Sequence, residues 1–477
     1  MWHVKLIERL KAERHDLRIS FGRRDHTPLF LEAVLLAERL AFPRKVPQLF
    51  RRQKIERLSG PDKKPDLTID LSERGLGGHP EARLTLMATG SSSPVAEWAA
   101  TIAGGGLPRI TLDLDGTPVA QASPMIENRI SIGWALENVL ARAICLIVKT
   151  VRQILAGRSQ TPVIDQGGHG RQAFLPAYLR STIPRSWAEA LRRIRYRYAH
   201  WRVGYRFIEG EGVAEKLSLS GTPWQVLPDD ETRFYADPFP FLWKGKYYIF
   251  VEDYVHAQGK AIISVSCLDN DGRANTPVSV IEEPHHLSYP QIFEMDGEVW
   301  MLPEASAGRE LVLYRAEDFP FRWVRHTVLF SDRVISDATL IEQAGTFWLL
   351  ATDATSGGSA SDSLVAYSAP RLAGPWTQHG DNPIKIDHRG ARPGGAAVRH
   401  NGRLLLPVQD GTNGYGGGLG VSDVAELSDC AVHLTPPQPI QTEGFWPYPQ
   451  IHTLNRHGSL EVIDGIARVR KPLWSRR

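Results

Sequence analysis

From Phe234 onward the apolar positions fall in short runs, divided by Gly, Asp, Asn and Pro at regular intervals. Short apolar runs bounded by turn residues predict β-strands. Five turn glycines, Gly245, Gly297, Gly345, Gly402 and Gly458, bring these runs into register. Before them stand PFPFLWKG, PQIFEMDG, ATLIEQAG, GAAVRHNG and QIHTLNRHG. After the first four come KYYIFVED, EVWMLPEA, TFWLLATD and RLLLPVQD, and after the last the weaker SLEVIDG. Each pair reads as a β-hairpin with a Gly-bearing turn. A recurrence of about 50 residues leaves room for four strands per repeat, which is the signature of a propeller blade. The pattern therefore predicts a five-bladed β-propeller.

Residues 1–157 have a different texture. Short β-like runs (17–20, 67–71, 82–86 and 109–112) alternate with helical stretches at 28–40, 94–101 and 130–155. Such alternation predicts a small α/β domain. The run from Ile130 to Leu155 is the most apolar in the chain, but Glu137, Arg142, Lys149 and Arg152 make it a buried or amphipathic helix rather than a membrane span. A Gly-rich stretch, 165–170, reads as a loop, and residues 185–206 as a strongly basic helix. The expected organisation is an α/β domain at 1–157, a linker and basic helix at 158–206, and the propeller at 207–477; the fold class is mainly β.

Composition narrows the function. Lys and Arg total 56 against 53 acidic residues, so no global field favours nucleic acid. Three widely spaced cysteines exclude a disulfide framework and a Cys-rich zinc site and fit a reducing compartment. With no apolar leader visible at the N-terminus, a cytoplasmic location is expected. No cofactor and no metal is expected, since the histidines lack the spacing of a zinc motif.

Hairpin geometry locates the candidate chemistry. The start of each first strand and the end of each second strand lie at the same end of the hairpin, so they share one mouth of the central channel. That mouth should collect Asp237, Tyr289, Asp337 and Arg392 from first strands, with Glu252, Asp253, Glu304, Asp353 and Asp410 from second strands. Tyr235, Gln291, Trp446, Tyr448 and His452 are expected beside them as substrate-binding groups. Carboxylates that act as acid and base, polar groups that fork onto hydroxyls and aromatic faces that stack on C–H surfaces suit a sugar. Strand-end acids also cap turns, and Asp353, Asp410 and Asp464 fit that duty equally well.

Tyr235-Ala236-Asp237-Pro238 with its WKGKYYIFVE hairpin resembles the first blade of five-bladed glycoside hydrolases of the arabinanase/xylosidase type. That resemblance implies a base or nucleophile at Asp237 and an auxiliary, pKa-tuning acid at Asp337. The fourth blade, where the general acid should stand, has Arg392-Pro393-Gly394-Gly395 instead, leaving Glu304 as the candidate acid. FYADPFPF, FVEDY, YPQIFE, LPEAS, SDATL and WPYPQIHTL resemble more closely the propeller domain N-terminal to the glycosyltransferase of plant glucosamine inositolphosphorylceramide transferases. Residues 64–155 loosely resemble a formyltransferase, with Gly78-His79-Pro80 as the His-Pro in the chain and no Asn near it.

Two readings stay open: a glycosidase-like protein using Asp237, Glu304 and Asp337 that acts on or recognises a glycan or glycolipid sugar in cell-surface polysaccharide metabolism, and a non-catalytic carbohydrate-binding module supporting a glycosyltransferase or polysaccharide assembly. The expected partner is a carbohydrate or glycolipid headgroup and no nucleic acid. A peripheral membrane contact through the basic segment 192–206 is a further expectation.

Overall fold

A computed structural model describes residues 2–19, 28–41, 65–71, 82–87, 93–158 and 173–471. The chain divides into two compact units, residues 1–191 with 356–359, and residues 192–355 with 360–477. The 165–170 loop and Gly78-His79-Pro80 lie outside the described residues.

The first unit contains a four-stranded sheet: Thr68–Asp70 parallel to Arg83–Leu86, then Ile110–Leu114 and Thr117–Ala122 antiparallel. The stretch 17–19, expected as a strand, is irregular. Helix Pro94–Gly104 begins where the Ser93 hydroxyl accepts the Ala96 N–H at 3.2 Å, and ends at Gly105, whose φ of 98° only glycine adopts readily. The apolar run becomes helix Ile132–Leu155. Its first amides, Ile132 and Gly133, donate to the Glu38 carboxylate at 2.8 and 2.9 Å, a negative charge at the positive end of the helix dipole.

The second unit is the β-propeller. Its described residues form five antiparallel sheets. The first four start at Arg233–Trp243, Ser288–Met295, Ile335–Gln343 and Arg389–Pro393, and each continues outward in sequence order. The fifth is assembled from both ends of the unit. The hairpin Leu454–His457/Leu460–Ile466 supplies its inner strands, and Trp201–Phe207 and Gln225–Val226 its outer ones. This corrects the expectation of a helix running to Arg206: the helix stops at Arg195. Trp201, Val203 and Tyr205 alternate with Arg202, Gly204 and Arg206, a period of two that the density of arginines obscures.

The aligned glycines occupy the hairpin turns as expected. Lys244-Gly245, Asp296-Gly297, Ala344-Gly345 and Asn401-Gly402 all have positive φ, the two-residue turn that matches strand twist. Apolar cores lie between successive sheets. Phe239, Phe250, Tyr289 and Met301 join the first to the second, while Val203, Tyr205, Ile249, Val251 and Val462 join the fifth back to the first. At about 2 kcal/mol for each fully buried large side chain, these seams hold the ring closed.

Candidate functional site

The first strands of three blades carry the same irregularity. Asp237, Tyr289 and Asp337 each sit at a β-bulge with φ of 46°, 46° and 48°. Non-glycine residues rarely adopt this region, and bulges commonly re-aim a side chain beside a site. All three side chains are fully buried and lie in one another's electrostatic field.

The second strands supply a ring beneath them. Glu252, Glu304, Thr352 and Gln409 each stand seven residues after their turn glycine, and Asp464 six. Two of these residues perform the same task. Asp464 accepts the backbone N–H of Asp237 at 3.1 Å, and Glu304 accepts that of Asp337 at 3.1 Å. Each acid thus holds the bulge of the following blade. Glu252 holds a different contact: its carboxylate meets Nε2 of His286 at 3.4 Å.

Two charge clusters surround these acids. In the first, Asp237 accepts the Thr453 hydroxyl at 2.6 Å and lies 3.3 Å from His452 Nε2. The other ring nitrogen of His452 is 2.7 Å from Asp464, which also accepts the His452 and Thr453 amides. Burial would lower the His452 pKa, but Asp464 and Asp237 hold it above the usual value. In the second cluster, the Arg392 guanidinium forks onto Asp337 at 2.5 and 3.1 Å and stands 3.5 Å from Glu304. Gln409 donates to the same Asp337 oxygen at 2.8 Å. Burial pushes the Asp337 carboxyl up to about 7, against the pull of Arg392 and with Glu304 adding to the rise.

Burial also raises Asp237, with His452 opposing and Asp337 and Asp464 adding. Glu252 goes well above its usual range, first through burial and then through the charges of Asp237, Glu304, Asp464 and Asp337. Its His286 neighbour is pushed down by burial and gives Glu252 no full cation near neutral pH. Burial and the surrounding carboxylates thus favour the protonated form of Glu252, which lies within the field of Asp237.

The loop 411–418 carries Tyr415 over this mouth. Its ring lies 5.3 Å from the Arg392 guanidinium and meets Trp201 and His452 edge-on. Trp201 stacks on His452 with centroids 3.9 Å apart. Gly416 lets the loop come this close, since a Cβ there would lie 2.3 Å from the Trp201 ring.

The structure therefore gathers Asp237, Glu252, Tyr289, Glu304, Asp337, Arg392 and His452, and turns the other candidates away. Asp253, Asp353 and Asp410 each follow a ring position by one residue, so strand alternation points them elsewhere. Asp253 pairs with Arg233 at 3.0 Å and Ser264 at 2.8 Å. Asp353 and Asp410 receive the Thr355 and Thr412 amides in local turns. Gln291 spends both amide ends on the Leu340 backbone, pinning the second blade to the third. Tyr235 and Trp446 are core residues, and Tyr448 packs against the core around Trp446. Asp464 proves integral to the site rather than a turn cap. Thr453 and Tyr415 were missed; a hydroxyl ahead of a short strand and a tyrosine in a glycine run carry no periodic signal.

Comparisons with known proteins agree with the region identified. A "Glucosamine inositolphosphorylceramide transferase 1" from Oryza sativa subsp. indica is 34% identical over 190 residues, 39% of this chain and 25% of that protein. Its Arabidopsis thaliana counterpart is 32% identical over 202 residues, 41% and 26% of the two chains. The match thus spans about a quarter of the length of these relatives. Among solved structures, an exo-β-1,3-galactanase from Phanerochaete chrysosporium with β-1,3-galactotriose aligns at TM-score 0.34 and 14% identity, covering 43% of this chain and 49% of its own. A family 117 glycoside hydrolase from Zobellia galactanivorans aligns at TM-score 0.36 and 12% identity, covering 56% and 90%. The family match begins beyond the formyltransferase-like stretch and lends that resemblance nothing. Residues 228–444 of this chain match the family described as glucosamine inositolphosphorylceramide transferase 1, N-terminal.

Proposed function

We propose that the propeller mouth recognises a sugar or polyol headgroup, with neutral Glu252 donating a hydrogen bond and Asp237 accepting one. The observation that carries this reading is the division of labour among the ring acids. Asp464 and Glu304 are engaged with backbone amides, and Asp337 is clamped by Arg392, whereas Glu252 has His286 alone as its close partner among the described contacts. A hydroxyl both donates and accepts, so an acid–carboxylate pair of unequal protonation matches it from both sides. The curated relatives bear the name glucosamine inositolphosphorylceramide transferase 1, which supports a sugar or inositol ring as the class of ligand.

Hydrolysis is the second reading, favoured by the same inequality. Two carboxyl groups in unlike surroundings, Asp237 beside the His452 ring and Glu252 among other carboxylates, are what a glycosidase needs to divide base from acid. The acid would then be Glu252 rather than Glu304, whose oxygens already receive the Asp337 amide and the Ser306 hydroxyl. A glycan array and a panel of aryl glycosides, run on wild type, Asp237→Asn and Glu252→Gln, separate the readings. Binding lost at least about tenfold in Asp237→Asn, with no turnover in any form, supports recognition. Turnover in wild type that both variants abolish supports hydrolysis. Binding unaffected by both substitutions would remove the site from consideration.

A further inference from the structure

Helix Ile183–Arg195 has its polarity reversed. None of its residues is buried, and its half-buried positions, Arg185, Ser186, Glu189 and Arg192, are all polar. On the preceding turn the buried Thr182 hydroxyl donates to the Ala103 carbonyl at 3.0 Å. One turn on, Arg185 reaches the same carbonyl at 3.1 Å, so the helix hangs from the carboxyl end of Pro94–Gly104. The opposite face is apolar and open: Ile183 is 36% exposed, Trp187 69%, Leu191 50% and Ile194 72%. Spacings of four, four and three residues set these side chains in one stripe along the helix.

A stripe of this kind calls for a partner, and its neighbours indicate which. Arg192, Arg193 and Arg195 crowd the last turn beside it, against the single acid Glu189. Just beyond, Tyr198 is 69% exposed, with the Arg192 and Arg193 guanidinium groups 5.7 and 5.0 Å from its ring. Trp and Tyr favour the boundary between lipid tails and headgroups, and arginines beside an apolar face favour anionic lipid. A protein partner would be met equally well by leucines and would not call for three arginines beside the stripe. Among the described residues no helix is long and apolar enough to cross a membrane.

We propose that helix Ile183–Arg195 docks the protein on an anionic membrane surface, its Ile183–Trp187–Leu191–Ile194 stripe entering the headgroup layer and its arginines meeting lipid phosphates. The inference does not depend on the reading of the propeller mouth and is tested without any sugar. Co-sedimentation of the full chain is measured with phosphatidylcholine vesicles and with vesicles containing phosphatidylserine. The expected result is binding to the anionic vesicles that weakens with salt. The double variant Arg192→Glu/Arg193→Glu should weaken it about tenfold or more. Trp187→Glu/Ile194→Glu should abolish it, and both positions are exposed enough to leave the fold intact. A full chain that ignores anionic vesicles overturns the proposal, as does binding that neither double variant changes. Self-association of the wild type that Trp187→Glu/Ile194→Glu disperses, without vesicle binding, assigns the stripe to a protein interface instead.

Discussion

Replacing Arg392 by methionine tests how the mouth tolerates its own charge. Methionine keeps most of the aliphatic volume and removes the guanidinium. The wild-type residue is 7% exposed and makes a two-pronged bond to Asp337, with Ser361 at 3.3 Å and Glu304 at 3.5 Å. Its loss leaves two buried carboxyl groups without a cation, and breaking a buried pair from one side costs about 3–5 kcal/mol. At about 2–4 °C per kcal/mol for a domain of this size, the midpoint of thermal unfolding should fall by about 6–20 °C. The deficit should also depend on pH. The Asp337 carboxyl, at about 7, already lies above its unfolded value, so the stability it contributes is complete below about pH 4 and is lost as pH rises through 7. Without Arg392 it moves higher still. The variant should approach wild type near pH 4–5 and diverge towards pH 8. Urea unfolding followed by tryptophan fluorescence, at several pH values and in a cycle with Asp337→Asn, gives both quantities. A loss below about 1 kcal/mol at pH 8, or no coupling between the two substitutions, would refute the view that Arg392 neutralises the ring.

Other expectations follow from neighbouring contacts. Asp464→Asn removes a carboxylate that receives three backbone amides and faces His452, and should cost about 3 kcal/mol in urea unfolding while weakening any ligand bound at Asp237. Gly395→Ala would place a Cβ 1.9 Å from the Leu454 carbonyl at a φ of 152°, where the fourth and fifth blades meet; a stability loss of about 2 kcal/mol or more in urea unfolding is expected. Ligand binding measured by calorimetry should weaken as pH rises through the raised Glu252 pKa. Glu252→Gln, which keeps a donor, should flatten that profile.

The propeller was legible because its turns demand glycine at a fixed place in each hairpin, and five such demands at one spacing leave a pattern. The inner strands were readable for the same reason. Which strand-end acid faces the channel was only half legible: alternation separates Glu252 from Asp253, but the sequence offers no sign of which one the bulge selects. The tie between Asp337 and Arg392 spans 55 residues, and no local spacing announces it. Arg392 could be seen to displace an expected acid, though not to serve as its neighbour's counter-ion. Gln291 looked like a sugar ligand because a lone amide near a mouth invites that reading; its two backbone bonds to Leu340 depend on the twist between blades, which periodicity does not carry.

The fifth sheet imposes a timetable on synthesis. Trp201–Phe207 pairs with Leu460–Ile466, and roughly 250 residues separate the two strands. At about 5–20 residues per second, a nascent chain presents the earlier strand for about 13 to 50 s before its neighbour leaves the ribosome. For that time Trp201, Val203 and Tyr205 have no sheet to join, and an unpaired apolar edge invites association with other chains. The arginines that disguised this strand as a helix, Arg202 and Arg206, give the waiting segment charge and so oppose premature pairing. Once the last hairpin emerges, Arg206 finds Glu461 at 2.8 Å and the charge that kept the strand apart becomes part of the lock.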